Sequence, residues 1–330
     1  MVLLQSVSAG QNNAVQETDT RPVVNLATLA AMAKPLKTCH GIRDVCAVGK
    51  RDIGCSRGLS TRYSLEAQIE MGRSYAQEVE TTFKLIVDPV ITEYVNRIAQ
   101  NLVRNSDAQV RFTIRIIETD DVNAFSLPGG FLFVDSGLIL AVDNEAELAG
   151  VMSHEIAHVA ACHAAKEMAR EELVTNLVSM PLIFKLLLRQ LTLNTVEPIR
   201  SFESEADSLA IEYLYKGGYD PQALSSFFEK LKSMEKQKPG RLTKAFESHP
   251  HMADRIKRIQ QEINNLLPPV AEYKVDTSDF QEIKTRLFEQ QNGHELDKNY
   301  GGDGPTSRGA SPGTTADAGT SSDDVDQHRR

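Results

Sequence analysis

The residues best placed to do chemistry are His154, Glu155 and His158, in the run His-Glu-Ile-Ala-His. On an α-helix, side chains four positions apart lie one turn above each other, so the two imidazoles can bind one metal ion. Glu155, one position further round the helix, could then reach a water on that ion. The spacing therefore predicts a divalent-metal site that activates water.

The surrounding residues predict a buried helix. Asn144 followed by Glu147 fits an N-terminal capping box, and 146–165 is dense in good helix formers and apolar on nearly all sides. Buried imidazoles and carboxylates need partners, and a cation would satisfy all of them at once. The alternative is that both histidines are core residues bonded to carbonyl groups, with Glu155 at the surface.

A catalytic zinc site needs a third protein ligand and an open fourth position. On a continuous helix His163 lies about 180° round from His154, at 3.6 residues per turn, and is predicted not to join the site. Cys162 lies about 80° round and is interpreted as a small buried hydrophobic residue. The third ligand is therefore expected from another helix.

Glu203 and Asp207 lie one helical turn apart and supply that candidate. Glu203 could bind the metal, while Asp207 could accept the outer N–H of a ligating histidine and fix its tautomer. The alternative is that Glu203, Glu205 and Asp207 form a solvated helix face.

The elements that must position these residues follow from apolar spacing and turn signals. Helices are predicted at 63–79 and 90–103, a strand at 110–117, hairpin strands at 124–127 and 131–134 around Pro-Gly-Gly, and mostly helix from 144 to 268 with breaks at Pro181, Pro198, Gly217-Gly218, Pro239-Gly240 and Pro250. The predicted fold class is α+β, mainly helical, with a small β-sheet.

The composition is that of a globular protein with a poor fit to nucleic acid. The 330 residues include 41% hydrophobic and 25% charged residues, and 36 basic against 45 acidic residues give a net charge of −9. Phosphate binding needs a basic surface, which this balance does not favour. Four cysteines do not make a disulfide scaffold in a chain this long, and Cys39, Cys46 and Cys55 have no evident role.

Three regions are predicted: a poorly ordered leader at 1–60, a catalytic domain at 61–293 and a disordered Gly/Ser/Asp-rich tail at 294–330. Within the leader, the apolar run 23–30 is either a weak secretory signal or an unstructured segment. The strongly hydrophobic segment 177–191 is interpreted as a buried helix or a lid over a cleft, with peripheral membrane contact as the alternative.

Several motifs in order carry a family resemblance. They are NAFSLPGGFLFV at 123–134, SGL at 136–138, EAELAGVMSHEIAHV at 145–159 and RSFESEAD at 200–207. Over 63–288 the sequence resembles the zinc metallopeptidase (gluzincin) family of CAAX prenyl proteases, HtpX-like proteases and bacterial β-barrel assembly-enhancing proteases, most of all its soluble, non-transmembrane members.

The resemblance implies a zincin-like metallopeptidase domain that binds one Zn²⁺ per chain through His154, His158 and Glu203. It makes Glu155 the general base and Asp207 the partner of a ligating histidine. It also places a catalytic histidine near the metal within Ser-His-Pro, which is His249 here. His251 next door makes the choice between these two imidazoles open.

The function that the resemblance implies is zinc-dependent endopeptidase activity on misfolded or envelope proteins, as part of protein quality control. It favours a peripheral location in the bacterial cell envelope or periplasm. The chain lacks the transmembrane helices of some members and the C-terminal helical repeats of others. The alternatives are a protease-fold chaperone or assembly factor with a latent zinc site, a non-peptidase zinc hydrolase, and a chance motif in a helical protein.

Overall fold

The structure is a computed structural model that describes residues 44–55, 62–178, 196–237 and 252–300. After a short 3₁₀ turn at Val45–Ala47, the helices are α1 (Leu65–Thr82), α2 (Pro89–Arg104), α3 (Ser136–Ala141), α4 (Glu145–Ala160), α5 (His163–Val178), α6 (Val196–Gly217), α7 (Gln222–Gln237), α8 (Met252–Leu266) and α9 (Ser278–Tyr300). The strands are β1 (Thr113–Ile117), β2 (Ala124–Leu127) and β3 (Phe131–Asp135). The predicted class, mainly helical α+β with a small sheet, is confirmed.

The three strands form one sheet in the order β1-β3-β2. β1 pairs with β3 in parallel, with Thr113 opposite Phe131, whereas β2 pairs with β3 as an antiparallel hairpin. Gly129 and Gly130 form the turn with φ of 74° and 97°, a region that favours glycine. The predicted hairpin is therefore confirmed, and β2 lies at an edge of the sheet.

Helix α4 is the central element of the fold. It packs most extensively against α6, and also against α2, α7 and β2. Most of its apolar side chains are buried, and Leu148, Met152 and Ile156 are fully so. Burial on several sides gives its polar side chains fixed surroundings, which an exposed helix would not provide.

Local chemistry explains where the helices begin. Pro89 opens α2, where its missing N–H costs nothing, and the Asp88 side chain accepts from the N–H groups of Val90 and Ile91. The same rule explains a wrong prediction: Pro198 does not break α6, because it lies in the first turn of that helix.

The described residues include segments on both sides of the predicted region boundaries, which stay predictions. Residues 44–55, predicted as part of the leader, are held to the domain by Arg51, which pairs with Asp107 and Glu212. At the other end α9 continues to Tyr300, into the predicted tail. Among the described residues, the division between two compact units falls between Leu287 and Phe288, which is before residue 294.

Two sequence predictions lie outside what the structure describes. The apolar run at 23–30 is one, and all but the first two residues of the segment 177–191 are the other. Among the described residues, no helix is both long and apolar enough to cross a membrane.

Candidate metal centre

Helix α4 presents two imidazoles on one buried face. The Asn144 side chain caps the helix by accepting from the N–H of Glu147, as predicted, at 3.0 Å. The Glu147 carboxylate accepts from the N–H of Asp143 rather than from Asn144, so the reciprocal half of the capping box is displaced by one residue. Two turns later His154 and His158 project towards α6.

Three potential ligand atoms converge where α4 meets α6. The Nε2 atoms of His154 and His158 lie 3.0 Å apart. Each also lies close to the Glu203 carboxylate, at 3.4 Å for His154 and 3.3 Å for His158. The donor atoms of these three side chains lie within 4.8 Å of one another, a spacing that one metal ion could bridge.

The outer nitrogen of His154 is oriented by Asp207. Its Nδ1 lies 3.1 Å from Asp207 Oδ1, one helical turn beyond Glu203 on α6. Burial disfavours the ionised carboxylate, but the charge of Arg255 and its hydrogen bonds outweigh burial and hold the pKa of Asp207 at about 2. Asp207 is therefore an ionised acceptor for a proton on His154 Nδ1, and a metal ion bound at Nε2 would leave that proton in place.

Arg255 is a charged residue of this site to which no role was assigned from the sequence, and Arg258 also contacts Asp207, at 3.0 Å. The Arg255 guanidinium contacts Glu203 Oε2 at 2.8 Å and Asp207 Oδ1 at 2.7 Å, and lies 4.4 Å from the Phe228 ring centre. The sequence contains a signal that Arg255 is buried, because it shares one face of α8 with Ile259 and Ile263, and that face is the buried side of the helix. A charge on an apolar stripe indicates a buried counter-charge.

The outer nitrogen of His158 faces another histidine. His158 Nδ1 lies 3.1 Å from His163 Nδ1, and His163 Nε2 lies 3.1 Å from Glu205 Oε2. Helix periodicity predicts one continuous helix through these positions, whereas α4 ends at Ala160 and α5 begins at His163. The intervening turn brings His163 beside His158 and outside the cluster of ligand atoms.

Glu155 is buried under the edge strand β2. Its Oε2 accepts a hydrogen bond of 2.9 Å from the Ser126 hydroxyl, and the Glu155 carbonyl, 3.1 Å away, is the competing acceptor for the same hydrogen. A pocket beside Glu155 and His154 is lined mainly by apolar side chains, among them Phe227 and Leu231 of α7. Ser126 stood in a quoted motif, but nothing in its type or spacing linked it to Glu155.

The interpretation of Cys162 as a buried residue is confirmed, but its disulfide was not predicted. Cys162 is buried, but it forms a disulfide with Cys55, with the Cα atoms 5.2 Å apart. It also has a φ of 54°, rare for a residue with a side chain, in the turn between α4 and α5. Cys46 is disulfide-bonded as well. The disulfide fastens residues 44–55 to the end of the helix that carries both histidines.

The structure brings together most of the residues that the sequence singled out. His154, His158, Glu203 and Asp207 meet in one buried cluster, and Glu155 lies beside it. His249 and His251 lie outside the described residues, so the catalytic role predicted for His249 stays a prediction.

The fold and this cluster define a zincin-like metallopeptidase domain. The sequence profile of peptidase family M48 matches residues 89–263, more than half of the chain. The chain belongs to peptidase family M48, and the predicted family is confirmed.

Curated relatives carry protease names. The chain is 29% identical to the β-barrel assembly-enhancing protease of Escherichia coli K12, over 73% of this chain and 52% of the relative. It is 32% identical to the metalloprotease LoiP of the same strain, over 61% and 83%. It is 30% identical to the mitochondrial metalloendopeptidase OMA1 of Schizosaccharomyces pombe, over 57% and 56%. The chain spans about half the length of the β-barrel assembly-enhancing proteases that it matches.

Proposed function

We propose that this chain is a zinc-dependent endopeptidase, with one Zn²⁺ held by His154, His158 and Glu203 and with Glu155 as general base. The observation that carries the proposal is the convergence of two imidazole Nε2 atoms and one carboxylate next to Glu155. Lone pairs that point at one another at 3.0 Å repel unless a cation or a proton lies between them. Relatives named as metalloproteases support the same reaction class.

The donor set fits zinc. Two histidine nitrogens and one carboxylate are the ligands of catalytic zinc sites that keep a fourth position open. When bound, zinc would polarise a peptide carbonyl and lower the pKa of a water towards about 7. Magnesium and calcium prefer oxygen ligands, so the two imidazoles argue against them.

Glu155 would move the proton. Its carboxylate accepts a proton from the attacking water and passes it to the leaving amine. The Ser126 hydroxyl, 2.9 Å from Glu155 Oε2, orients that carboxylate before substrate binds. Both side chains are on regular elements, α4 and β2, which hold their geometry better than a loop would.

The substrate is proposed to be an extended protein segment. β2 lies at the edge of the sheet directly over Glu155, so a peptide could add to it as another strand through backbone hydrogen bonds. The neighbouring cavity, of about 30 Å³, would admit only a small apolar group. We expect N-methylation of a single peptide amide to raise KM by about tenfold where that amide pairs with β2, and a series with equal KM at every position would contradict strand addition.

The proposed compartment is the bacterial cell envelope, with the protein peripheral to the membrane. The Cys55–Cys162 disulfide supports this, because disulfides persist in oxidising compartments and are rare in the cytosol. Misfolded or envelope proteins are the proposed substrates, as part of quality control. The name of the β-barrel assembly-enhancing relatives supports an envelope role.

The test combines metal content with proteolysis. Purified protein should contain one zinc per chain and cleave casein, and a chelator should abolish cleavage until zinc is restored. Glu155→Gln should keep its zinc and lose about 10²–10⁴-fold in rate, whereas the exposed control Glu70→Gln should match the wild type.

Cleavage by Glu155→Gln at the wild-type rate would rule out Glu155 as the base. The assembly-factor alternative makes a different prediction. In that case the wild type would hold zinc but cleave nothing, and Glu155→Gln would still rescue a cellular assembly defect.

A further inference from the structure

The two histidines of the metal cluster are oriented in different ways. His154 contacts a carboxylate directly, since its Nδ1 lies 3.1 Å from Asp207. His158 contacts another imidazole, since its Nδ1 lies 3.1 Å from Nδ1 of His163. Metal-ligating histidines usually donate their outer N–H to a carboxylate, a carbonyl or water. The His158 contact therefore calls for an explanation of its own.

We propose that His163 and Glu205 are a positioning pair for His158, which transmits the orienting effect of a carboxylate through a second imidazole. The proposal rests on the proposed function in taking His158 as a metal ligand. It adds two residues, one buried and one half-exposed, that set the affinity for the metal without touching it.

The hydrogen atoms on His158 and His163 have one consistent arrangement. If Nε2 of His158 offers its lone pair to the metal, its hydrogen lies on Nδ1 and is donated to His163 Nδ1. His163 then carries its own hydrogen on Nε2, where Glu205 Oε2 accepts it at 3.1 Å. Each donor meets an acceptor, and the carboxylate at the end favours the tautomer of His163 that can accept from His158.

The surroundings hold His163 in this orientation. Its ring stacks on Phe202 with the ring centres 4.5 Å apart and the planes at 21°. The side chain is 4% exposed, and it follows Cys162, whose disulfide fixes the turn before α5. Stacking, burial and a covalent link on the preceding residue leave the ring little freedom to turn away from His158.

His163 is placed to orient and not to bind. It faces Nδ1 of His158, whereas the ligand atoms converge on the Nε2 side. Glu205 points away from the cluster and its side chain is 41% exposed. Glu205 can therefore be changed with little disturbance of the core, which makes the pair testable.

The experiment measures zinc affinity by competition between the apoprotein and a chromophoric chelator. His163→Phe keeps the ring that stacks on Phe202 but removes the acceptor, and we expect zinc to bind about 10–100-fold more weakly. His163→Asn restores an oxygen near the position of Nδ1 and should recover affinity to within about threefold of wild type.

Variants of Glu205 provide a second test of the positioning pair. Glu205→Ala should weaken zinc binding by about three- to tenfold, while Glu205→Gln, whose amide oxygen still accepts from His163, should not. Glu172→Ala, an exposed glutamate on α5 that pairs with Arg62, is the matched control and should bind zinc like the wild type.

Turnover and stability measurements distinguish a loss of His158 positioning from a general loss of folded structure. We expect kcat to fall in His163→Phe with KM nearly unchanged, and the unfolding temperature of the apoprotein to stay close to wild type. His163→Phe with wild-type zinc affinity would overturn the proposal. If that variant does not fold, Glu205 decides: equal affinity of the Ala, Gln and wild-type proteins overturns it.

Failure of this proposal is distinguishable from failure of the proposed function. A wild-type protein that binds zinc tightly but cleaves no peptide contradicts peptidase activity, and the affinity series still tests the pair. Absence of stoichiometric zinc in the wild type contradicts the proposed function itself.

Discussion

The two ends of helix α4 each bury a group of polar side chains, and the two groups differ in kind. At the N-terminal end the Glu145 carboxylate accepts hydrogen bonds from the hydroxyls of Tyr94, Tyr219 and Thr277, and Lys274 lies 3.4 Å away. At the other end His154, His158 and Glu203 bring acceptor atoms together. Both groups are buried in the same core.

The difference lies in the match of donors to acceptors. Around Glu145 several donors surround one acceptor, so hydrogen bonds between described residues satisfy the group and tie α2 and α4 to Tyr219, which follows the end of α6. Around His154 and His158 two ring nitrogens and the Glu203 carboxylate, which also accepts from Arg255, face a common point that a cation could occupy. Burial of polar groups alone therefore does not identify a metal site, whereas convergence of lone pairs does.

The sharpest test of this comparison is a matched pair of isosteric substitutions, Glu203→Gln and Glu145→Gln. Loss of a partner that only orients a ligand costs about 10–100-fold in metal affinity, so loss of a ligand should cost more than about 100-fold. Glu203→Gln should therefore lose stoichiometric zinc and the zinc-dependent rise in unfolding temperature. Glu145→Gln should keep both. Zinc loss in the Glu145 variant would contradict the distinction between the two ends.

The second test removes the covalent link at the metal end. The disulfide closes a loop with a sequence separation of 107, and the chain-entropy model gives about 4–5 kcal/mol for a loop of that size. Cys55→Ala/Cys162→Ala should lower the free energy of unfolding by about 3–5 kcal/mol in denaturant. The wild type under non-reducing conditions is the comparison. An unchanged free energy would contradict a stabilising role of the Cys55–Cys162 disulfide.

The third test measures what the structural end contributes. In Glu145→Gln one oxygen still accepts, but the amide group faces hydroxyl donors, so buried hydrogen bonds are lost. We expect the free energy of unfolding to fall by about 2–3 kcal/mol in the zinc-bound and zinc-free proteins alike. The exposed variant Glu70→Gln should change it by less than about 0.5 kcal/mol. A loss confined to the zinc-bound form would contradict a structural role.

The sequence predicted well whatever depends on local pattern. Pro-Gly-Gly between two apolar runs predicted the hairpin, and Asn144 with the helix formers after it predicted α4. The resemblance in motifs pointed to Glu203 and Asp207, which the structure places beside His154. Each of these follows from residues near in sequence or from the order of whole motifs.

What could not be predicted depends on contacts between distant residues. The break at Ala161-Cys162 lies among good helix formers, and its position coincides with a disulfide to Cys55, a partner that spacing cannot reveal. The same break brings His163 beside His158, which a continuous helix would have kept apart. Arg255 was detectable as a charge on the apolar stripe of α8, but its partners on α6 were not.

The smallest expected effect is on the pH dependence of the free energy of unfolding. Burial alone would raise the pKa of Glu145, but hydrogen bonds from Tyr219, Tyr94 and Thr277 outweigh it and hold the pKa below the usual 4.5. The unfolded chain therefore takes up the proton first as the pH falls. The stabilisation by the ionised carboxylate is complete above about pH 4.5 and is lost as the pH drops through the lower pKa of the folded protein. One group contributes at most about 1.4 kcal/mol per pH unit.

The difference in unfolding free energy between wild type and Glu145→Gln should thus shrink below pH 4.5. It is measured on zinc-free protein, so that metal release at the other end of α4 does not contribute. A difference that stays constant down to pH 3 would mean that Glu145 is protonated already, and that the donors around it do not set its charge.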